Sequence, residues 1–284
     1  MVEKKIAYTK QEALNFLASH DAYIFAGGSD LMVVKKNIAG YAPLFDKDVL
    51  YVSHIKELSN IYEDKDGVHI GATATMHEIE HHELCPSLLR KAISEVASTN
   101  IRHFCTLAGN IANASPAGDT IVVDALLDAK VKLESVEGVR LVDAKDFVLG
   151  VRKIDRHPNE LITELIFPKH SYSGELWFKV GSRRADSISK LSFAGYYEVK
   201  NNRVSQFAVC FGSVSIKPAR SKELEAKVVG LSLDELKAKQ PEIAGEFAKI
   251  IAPIDDQRSN KEYRQKVAMN IFNKFVDDIV GGAK

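Results

Sequence analysis

The sequence predicts an α+β protein of two domains, and three observations carry that prediction. Its 284 residues reach the size at which a single hydrophobic core stops growing, so one larger and one smaller core are expected. Short strand-like and helix-like segments alternate through residues 1–170. After a polar, turn-rich stretch at 168–174, three strand-like runs are followed by helical patterning, the segregated order of an α+β layout. The expected division is therefore 1–170 and 171–284.

Residues 10–19 carry Ala13, Leu14, Leu17 and Ala18 at helical spacing, and Thr9 with Glu12 predicts a capping box. Residues 22–26 form a short apolar run suited to a buried strand, ended by Gly27-Gly28-Ser29-Asp30 before the helical 31–37. Strands are expected at 49–52 and 67–70, and a short polar helix at 75–84, closed by Pro86. A stronger helix at 87–98 places Leu88, Leu89, Ala92, Ile93, Val96 and Ala97 on one face. The Gly-, Asn-, Ser- and Pro-rich 106–119 reads as loop, and 124–129 returns to apolar residues. Residues 131–135 and 139–142 predict a hairpin around Glu137-Gly138, and 161–167 a further strand. In the smaller domain 175–180, 191–199 and 204–211 alternate like antiparallel strands, the last two joined through Asn201-Asn202. From Ser232 the pattern is helical, with breaks expected at Pro241 and Pro253 and a final helix over about 261–280.

With 45% hydrophobic and 27% charged residues the chain has the composition of an ordinary folded protein. Lys+Arg and Asp+Glu are both 38, so no global basic field exists to gather nucleic acid or acidic membranes. Glu3, Lys4, Lys5, Lys10 and Glu12 interrupt the N-terminal apolar residues as no signal peptide would. No segment approaches the roughly 20 apolar residues that span a bilayer, and a cytoplasmic protein is expected. Cys85, Cys105 and Cys210 lie far apart with no C-x-x-C spacing, and each is expected to be a small buried residue. Three cysteines are too few for an all-thiolate iron–sulfur cluster, so any such cluster in the chemistry belongs to a partner.

Two segments carry candidate binding chemistry. Gly27 and Gly28 sit at a strand-to-helix turn, where missing Cβ atoms allow positive φ and close approach of amides to phosphate oxygens. Ser29 and Asp30 can cap the helix that follows; an ordinary tight turn is the competing reading. The second segment runs from Cys105 to Asp119, alternating small residues with hydrogen-bonding side chains without becoming hydrophilic throughout. Thr106, Asn110, Asn113 and Ser115 offer groups for phosphate or sugar-type oxygens, and Asp119 can accept bonds from sugar hydroxyls. A buried loop bonding to its own backbone is the plainer alternative.

His77-Glu78-Ile79-Glu80-His81 fits H-E-x-x-H, the pattern that sets two zinc-binding imidazoles one helical turn apart beside a glutamate base. Glu80, His82 and Glu83 make the segment polar around its circumference, whereas a catalytic zinc helix needs a buried supporting face. His103, His157 and His170 have no spacing that recommends a third ligand, so no metal ligand is assigned. The G-x-G-x-x-G, G-x-x-x-x-G-K-[ST] and G-x-S-x-G templates are missing.

Ala26-Gly27-Gly28-Ser29-Asp30-Leu31 resembles the first flavin-binding signature of the FAD subunits of the molybdenum hydroxylases, the family of xanthine, carbon monoxide and nicotinate dehydrogenases. Ile101-Arg102-His103, Thr106-Leu107-Ala108-Gly109-Asn110-Ile111 and Ala114-Ser115-Pro116-Ala117-Gly118-Asp119 resemble the second, in matching order and separation. Phe178-Lys179, Ser182-Arg183-Arg184, Lys217-Pro218-Ala219-Arg220 and Tyr263-Arg264 extend the likeness over nearly the whole chain. Many relatives have Gly-Gly where this chain has Ala108-Gly109, so either the backbone at 108 tolerates a methyl group or the phosphate lies slightly elsewhere.

The resemblance implies an FAD-binding domain of the p-cresol methylhydroxylase type, with two lobes at about 1–55 and 56–170, followed by an α+β domain. It implies that Tyr23, Ile24, Phe25, Ala26, Gly27, Gly28, Ser29 and Asp30, with Thr106, Leu107, Ala108, Gly109 and Asn110, hold the FAD pyrophosphate. Asp119 would meet the sugar-type hydroxyls, and Leu161 and Lys179 would belong to the flavin surroundings. It further implies electron transfer from [2Fe-2S] clusters of a small partner subunit through FAD to NAD(P)+ or another acceptor. The substrate, a purine or N-heterocycle, would be hydroxylated at the molybdopterin cofactor of a large partner subunit. The residues that act catalytically on it would not be in this chain. A stand-alone FAD reductase of related fold is the alternative, and the likeness of the C-terminal half speaks against it.

Overall fold

The computed structural model describes residues 2–282, so the expected domain ends at Met1, Ala283 and Lys284 lie outside the described residues. The first lobe comprises β1 (Lys4–Ile6), α1 (Lys10–Leu17), β2 (Ala22–Phe25), α2 (Leu31–Val34) and β3 (Asp48–Tyr51). Its strands form a parallel sheet in the order β1-β3-β2. Thr9 caps α1 by accepting the Glu12 amide, while the Glu12 carboxylate takes the amide of Tyr8 instead of closing the expected box on Thr9. Buried Ala13, Leu14, Phe16 and Leu17 of α1 share a small core with Leu50, Val52 and Ile55.

The second lobe runs β4 (Ile61–Glu63), β5 (Val68–Gly71), α3 (Met76–His81), α4 (Ser87–Ser94), α5 (Thr99–Arg102), α6 (Leu107–Asn113) and α7 (Asp119–Leu126). It continues with β6 (Lys130–Ser135), β7 (Gly138–Asp143), α8 (Ala144–Phe147), β8 (Val148–Gly150), β9 (Lys153–Ile154) and β10 (Leu161–Phe167). The main sheet has the order β4-β5-β10-β6-β7 with every pairing antiparallel. β10 is buried along its whole length because it serves two cores: Leu161 packs with the first lobe, Ile162, Leu165 and Phe167 with the second. A bulge lies between Ile162, opposite Leu133, and Glu164, opposite Lys132.

The C-terminal part holds β11 (Gly174–Val180), β12 (Leu191–Lys200), β13 (Arg203–Gly212), α9 (Lys222–Ala226), α10 (Leu233–Ala248) and α11 (Lys261–Val280). Its antiparallel sheet, in the order β11-β12-β13, is covered on both faces, so β12 is buried without a break from Leu191 to Glu198. Phe193, Phe207 and Phe211 meet Phe247, Phe272 and Phe275 of the two long helices, while Ala194, Tyr196, Ala208 and Cys210 continue the core of α7. A Cβ at Gly195 would lie 2.9 Å from the Phe275 ring, so this glycine sets how closely α11 can lie on the sheet.

Three expectations are corrected by packing. Residues 106–119 are not one loop: α6 forms because Thr106 caps it through the Gly109 amide and Leu107, Ala108 and Ile111 bury one face. Pro241 does not break α10; it sits on the exposed side, where the carbonyl it leaves unpaired can meet water, while Leu236, Gln240, Ile243, Ala244 and Phe247 bury the other. The helix expected over 87–98 ends at Ser94, and Ala97 at φ 46° lies in a left-handed conformation that no helix can pass through. Among the described residues no helix is long and apolar enough to cross a membrane.

Within α7, Asp124 is fully buried and neither of its carboxyl oxygens has a hydrogen-bond partner. Burial pushes its carboxyl well above the usual range, so the folded chain holds it protonated where the unfolded chain would ionise it. A raised carboxyl pKa gives stability that is fully present below the unfolded value and lost as pH rises through the folded value. Asp124→Asn is neutral and nearly isosteric, and should escape that loss. Its melting temperature relative to the parent chain should therefore rise from pH 4 to pH 8; a flat difference across thermal melts in that range would refute the assignment.

Candidate functional site

The two glycine-containing segments meet in space. A Cβ on Gly27 would lie 1.8 Å from the carbonyl oxygen of Phe104 and 2.5 Å from its carbon, so the turn after β2 rests directly on the backbone that leads into α6. Gly28 adopts φ +69°, and a Cβ there would run 2.2 Å from the Phe25 ring. Phe25 in turn packs against Tyr51, with ring centroids 4.8 Å apart and planes tilted by 38°, which supports the underside of the turn. The isolated bridge between Thr75 and Thr106, with the Met76 amide donating to the Cys105 carbonyl at 2.9 Å, holds the second segment to the start of α3.

Between the segments lies a cavity of about 480 Å³. Tyr23, Ile24, Ala26, Gly27, Gly28, Ser29 and Asp30 form one wall, Thr106, Ala108, Gly109, Asn110 and Asn113 the other, and Leu161 reaches it from β10. Phe25 and Leu107 do not line it: the first supports Gly28, and the second is buried in the core of the second lobe. Ala108 lies in the first turn of α6, buried with regular helical geometry, which is why the backbone accommodates its methyl group. Cys105 also borders the cavity, and burial pushes its thiol up to about 11.

A second cavity of about 620 Å³ opens between the second lobe and the C-terminal part, bordered by Ser115, Asp119 and Lys179. Asp30, Asn110, Asn113 and Arg152 line both cavities, so the two adjoin there as the halves of a trough. At this junction the amide side chains are oriented by their neighbours. The Thr120 hydroxyl donates to Asn110 Oδ1 at 2.8 Å, and the Arg152 guanidinium donates to Asn113 Oδ1. Both asparagines accept through oxygen and keep their NH2 groups for a ligand's acceptor atoms. With Arg152 beside them the junction is a donor-rich patch suited to a phosphate-type anion.

Asp119, expected to meet sugar-type hydroxyls, is already engaged within the chain. Its Oδ2 takes Lys179 Nζ at 2.7 Å and its Oδ1 takes the Ser189 hydroxyl, with the paired side chains of Asp119 and Lys179 only 7% and 6% exposed. Burial pushes the Asp119 carboxyl up against the opposing pull of Lys179. Lys179 also donates to the Glu95 carbonyl at 2.7 Å, so the pair ties β11 to α7 at the edge of the second cavity. Arg152 and Arg156 of the trough were not found in the sequence, because they come from the irregular chain around β8 and β9 and carry no motif. Arg152 stands in a left-handed conformation, φ 58°, which no residue pattern around it announces.

Residues 5–170 match the family described as the FAD binding domain in molybdopterin dehydrogenase, and residues 177–279 match the CO dehydrogenase flavoprotein C-terminal domain. The glyceraldehyde dehydrogenase medium chain of Sulfolobus acidocaldarius is 31% identical over 265 residues, covering 92% of each chain. The nicotinate dehydrogenase FAD-subunit of Eubacterium barkeri is 30% identical over 269 residues, covering 91% of this chain and 90% of that one. Two solved structures share the fold: reconstituted CO dehydrogenase from Oligotropha carboxidovorans, with a TM-score of 0.89 at 23% identity and coverage of 100% and 99%, and quinoline 2-oxidoreductase from Pseudomonas putida, with 0.87 at 21% identity and coverage of 100% and 98%. The chain belongs to the family of FAD-binding subunits of molybdenum hydroxylase-type dehydrogenases.

Two outcomes follow from this geometry. Gly27→Ala forces the turn away from Phe104 and should abolish FAD retention while circular dichroism still reports a folded chain; full retention would contradict the packing described. Asp119→Ala leaves the Lys179 ammonium buried without its counter-charge and should cost about 3–5 kcal/mol of stability in urea unfolding. Pairing Asp119→Leu with Lys179→Met removes both charges and should recover most of that loss.

Proposed function

We propose that the trough is the FAD site of this chain and that the chain is the electron-transfer subunit of a molybdenum hydroxylase complex. The observation that carries the reading is the junction, where the donor-bearing side chains of Asn110, Asn113 and Arg152 border both cavities and the two amide oxygens are already taken. A diphosphate placed there would have the glycine turn of residues 27–28 on one side and the first turn of α6 on the other. The apolar walls at Ile24, Ala72 and Leu161 suit an aromatic base, and the more voluminous second cavity suits the sugar alcohol and ring system.

In this reading Tyr23, Ser29, Asp30, Thr106 and Gly109 complete the phosphate wall, Ser115 borders the ribityl chain, and Lys179 borders the ring. Flavin bound in the trough supplies both one-electron and two-electron chemistry. The chain's own residues bind and orient it, and the Asp119–Lys179 pair keeps the wall of the second cavity rigid. The partners are an iron–sulfur small subunit and a molybdopterin-binding large subunit, the acceptor is NAD(P)+ or another carrier, and the substrate oxidised in the partner is a purine or N-heterocycle. The compartment is the cytoplasm; the three cysteines are free and buried, as in a reducing environment.

The test is FAD titration of purified chain, followed by flavin fluorescence. Asn110→Asp keeps the acceptor for Thr120 but exchanges the NH2 donor for a negative charge at the junction. FAD affinity should fall by roughly 2 kcal/mol or more, about thirtyfold. Unchanged affinity would remove the diphosphate from this junction, and a chain that stays colourless in excess FAD would end the reading altogether.

A further inference from the structure

Helix α3 carries a face that neither the trough nor the hydrophobic core uses. His77, Glu80 and His81 stand at i, i+3 and i+4, and their ligand atoms all lie within 4.8 Å of one another. His103, which follows α5, stands beside the group: the centroid of its ring lies 3.8 Å from that of His77, which in turn lies 4.5 Å from that of His81, so a turn of its exposed side chain would bring a ring nitrogen to the ion. We propose that His77, Glu80, His81 and His103 form a binding site for a divalent first-row transition metal ion, of which zinc is the obvious occupant.

The surroundings of the three α3 side chains are those of ligands. His81 Nδ1 is engaged with the His77 carbonyl at 2.9 Å, which fixes the ring and leaves Nε2 for the ion, the arrangement typical of metal-binding imidazoles. His77 Nδ1 is shielded from solvent and has no hydrogen-bond partner. Arg102 donates from Nε to Glu80 Oε2 at 2.9 Å, which orients the carboxylate and leaves its second oxygen available. Arg102 also donates to the Val96 carbonyl and the Thr99 hydroxyl, so its guanidinium is fixed by three partners. Three imidazoles and a carboxylate favour zinc, cobalt, nickel or copper over magnesium or calcium.

The site is not hydrolytic. Glu78, the residue that H-E-x-x-H chemistry would use as base, accepts from the Thr75 amide at 2.7 Å and the Thr75 hydroxyl at 2.8 Å in the capping box of α3. A bound ion would instead act as a clip. It would join α3 to the residue preceding Phe104, on whose carbonyl Gly27 rests.

The experiment uses tag-free, full-length chain. Cobalt(II) titration read by visible absorption, with zinc competition, should show one ion per chain, and zinc should raise the melting temperature by mass action. His77→Asn should weaken cobalt binding by roughly tenfold or more. The exposed His103→Asn should do the same and carries the test should His77→Asn fail to fold, while His157→Asn, on the remote loop before β10, should change nothing. No uptake by the parent chain, or uptake that folded His103→Asn leaves undiminished, overturns the proposal.

Discussion

The structure depends on how α7 is held. All eight of its residues are buried, and both of its ends are gripped by cations from the C-terminal part. At its start Asp119 takes Lys179 and Ser189; at its finish Arg220 donates to the Ala125 carbonyl at 2.6 Å and to Asp128 at 3.0 Å, while Glu225 neutralises the same guanidinium. A carboxylate at the positive end and a guanidinium at the negative end both complement the helix dipole. Between the two grips the C-terminal sheet lies so close that a Cβ on Gly212 would meet Val122 at 2.4 Å. Because α7 follows the 106–118 segment directly, whatever fixes this helix also fixes the second wall of the trough.

That arrangement explains why the sequence boundary at 168–174 does not separate two independent cores. The linker is polar and irregular, yet Ala194, Tyr196, Ala208 and Cys210 of the C-terminal sheet belong to the core of the second lobe. The division is one of chain order more than of packing. The second cavity lies beside this anchored junction, bordered by Asp119 and Lys179 and reaching Asn110 and Asn113.

Elements whose apolar period matched their burial were legible from sequence alone. β10 spans Leu161–Phe167 and α11 spans Lys261–Val280, both as the pattern predicts, and the β6–β7 hairpin turns where Glu137-Gly138 stands. Elements decided by a single cap or by solvent on one side were not. α6 is composed of small residues that signal a loop, and only the Thr106 cap with the burial of Leu107 and Ile111 makes it helical. In the trough, the glycine turn and the asparagines stood out because they are contiguous in sequence. Arg152, the Asp119–Lys179 pair and the approach of His103 to His77 arise from chain segments brought together only by folding, and no local pattern encodes them.

The three cysteines have a consequence for a protein that handles electrons. Burial pushes the Cys85, Cys105 and Cys210 thiols up to about 12, 11 and 12, so at neutral pH each sulfur keeps its proton. Peroxide attacks thiolates, and a reduced carrier exposed to dioxygen is a local source of peroxide. Cys105 borders the trough itself, yet it presents a protonated, poorly nucleophilic sulfur. The fold thereby shields its own sulfur chemistry from the oxidants its cofactor can generate.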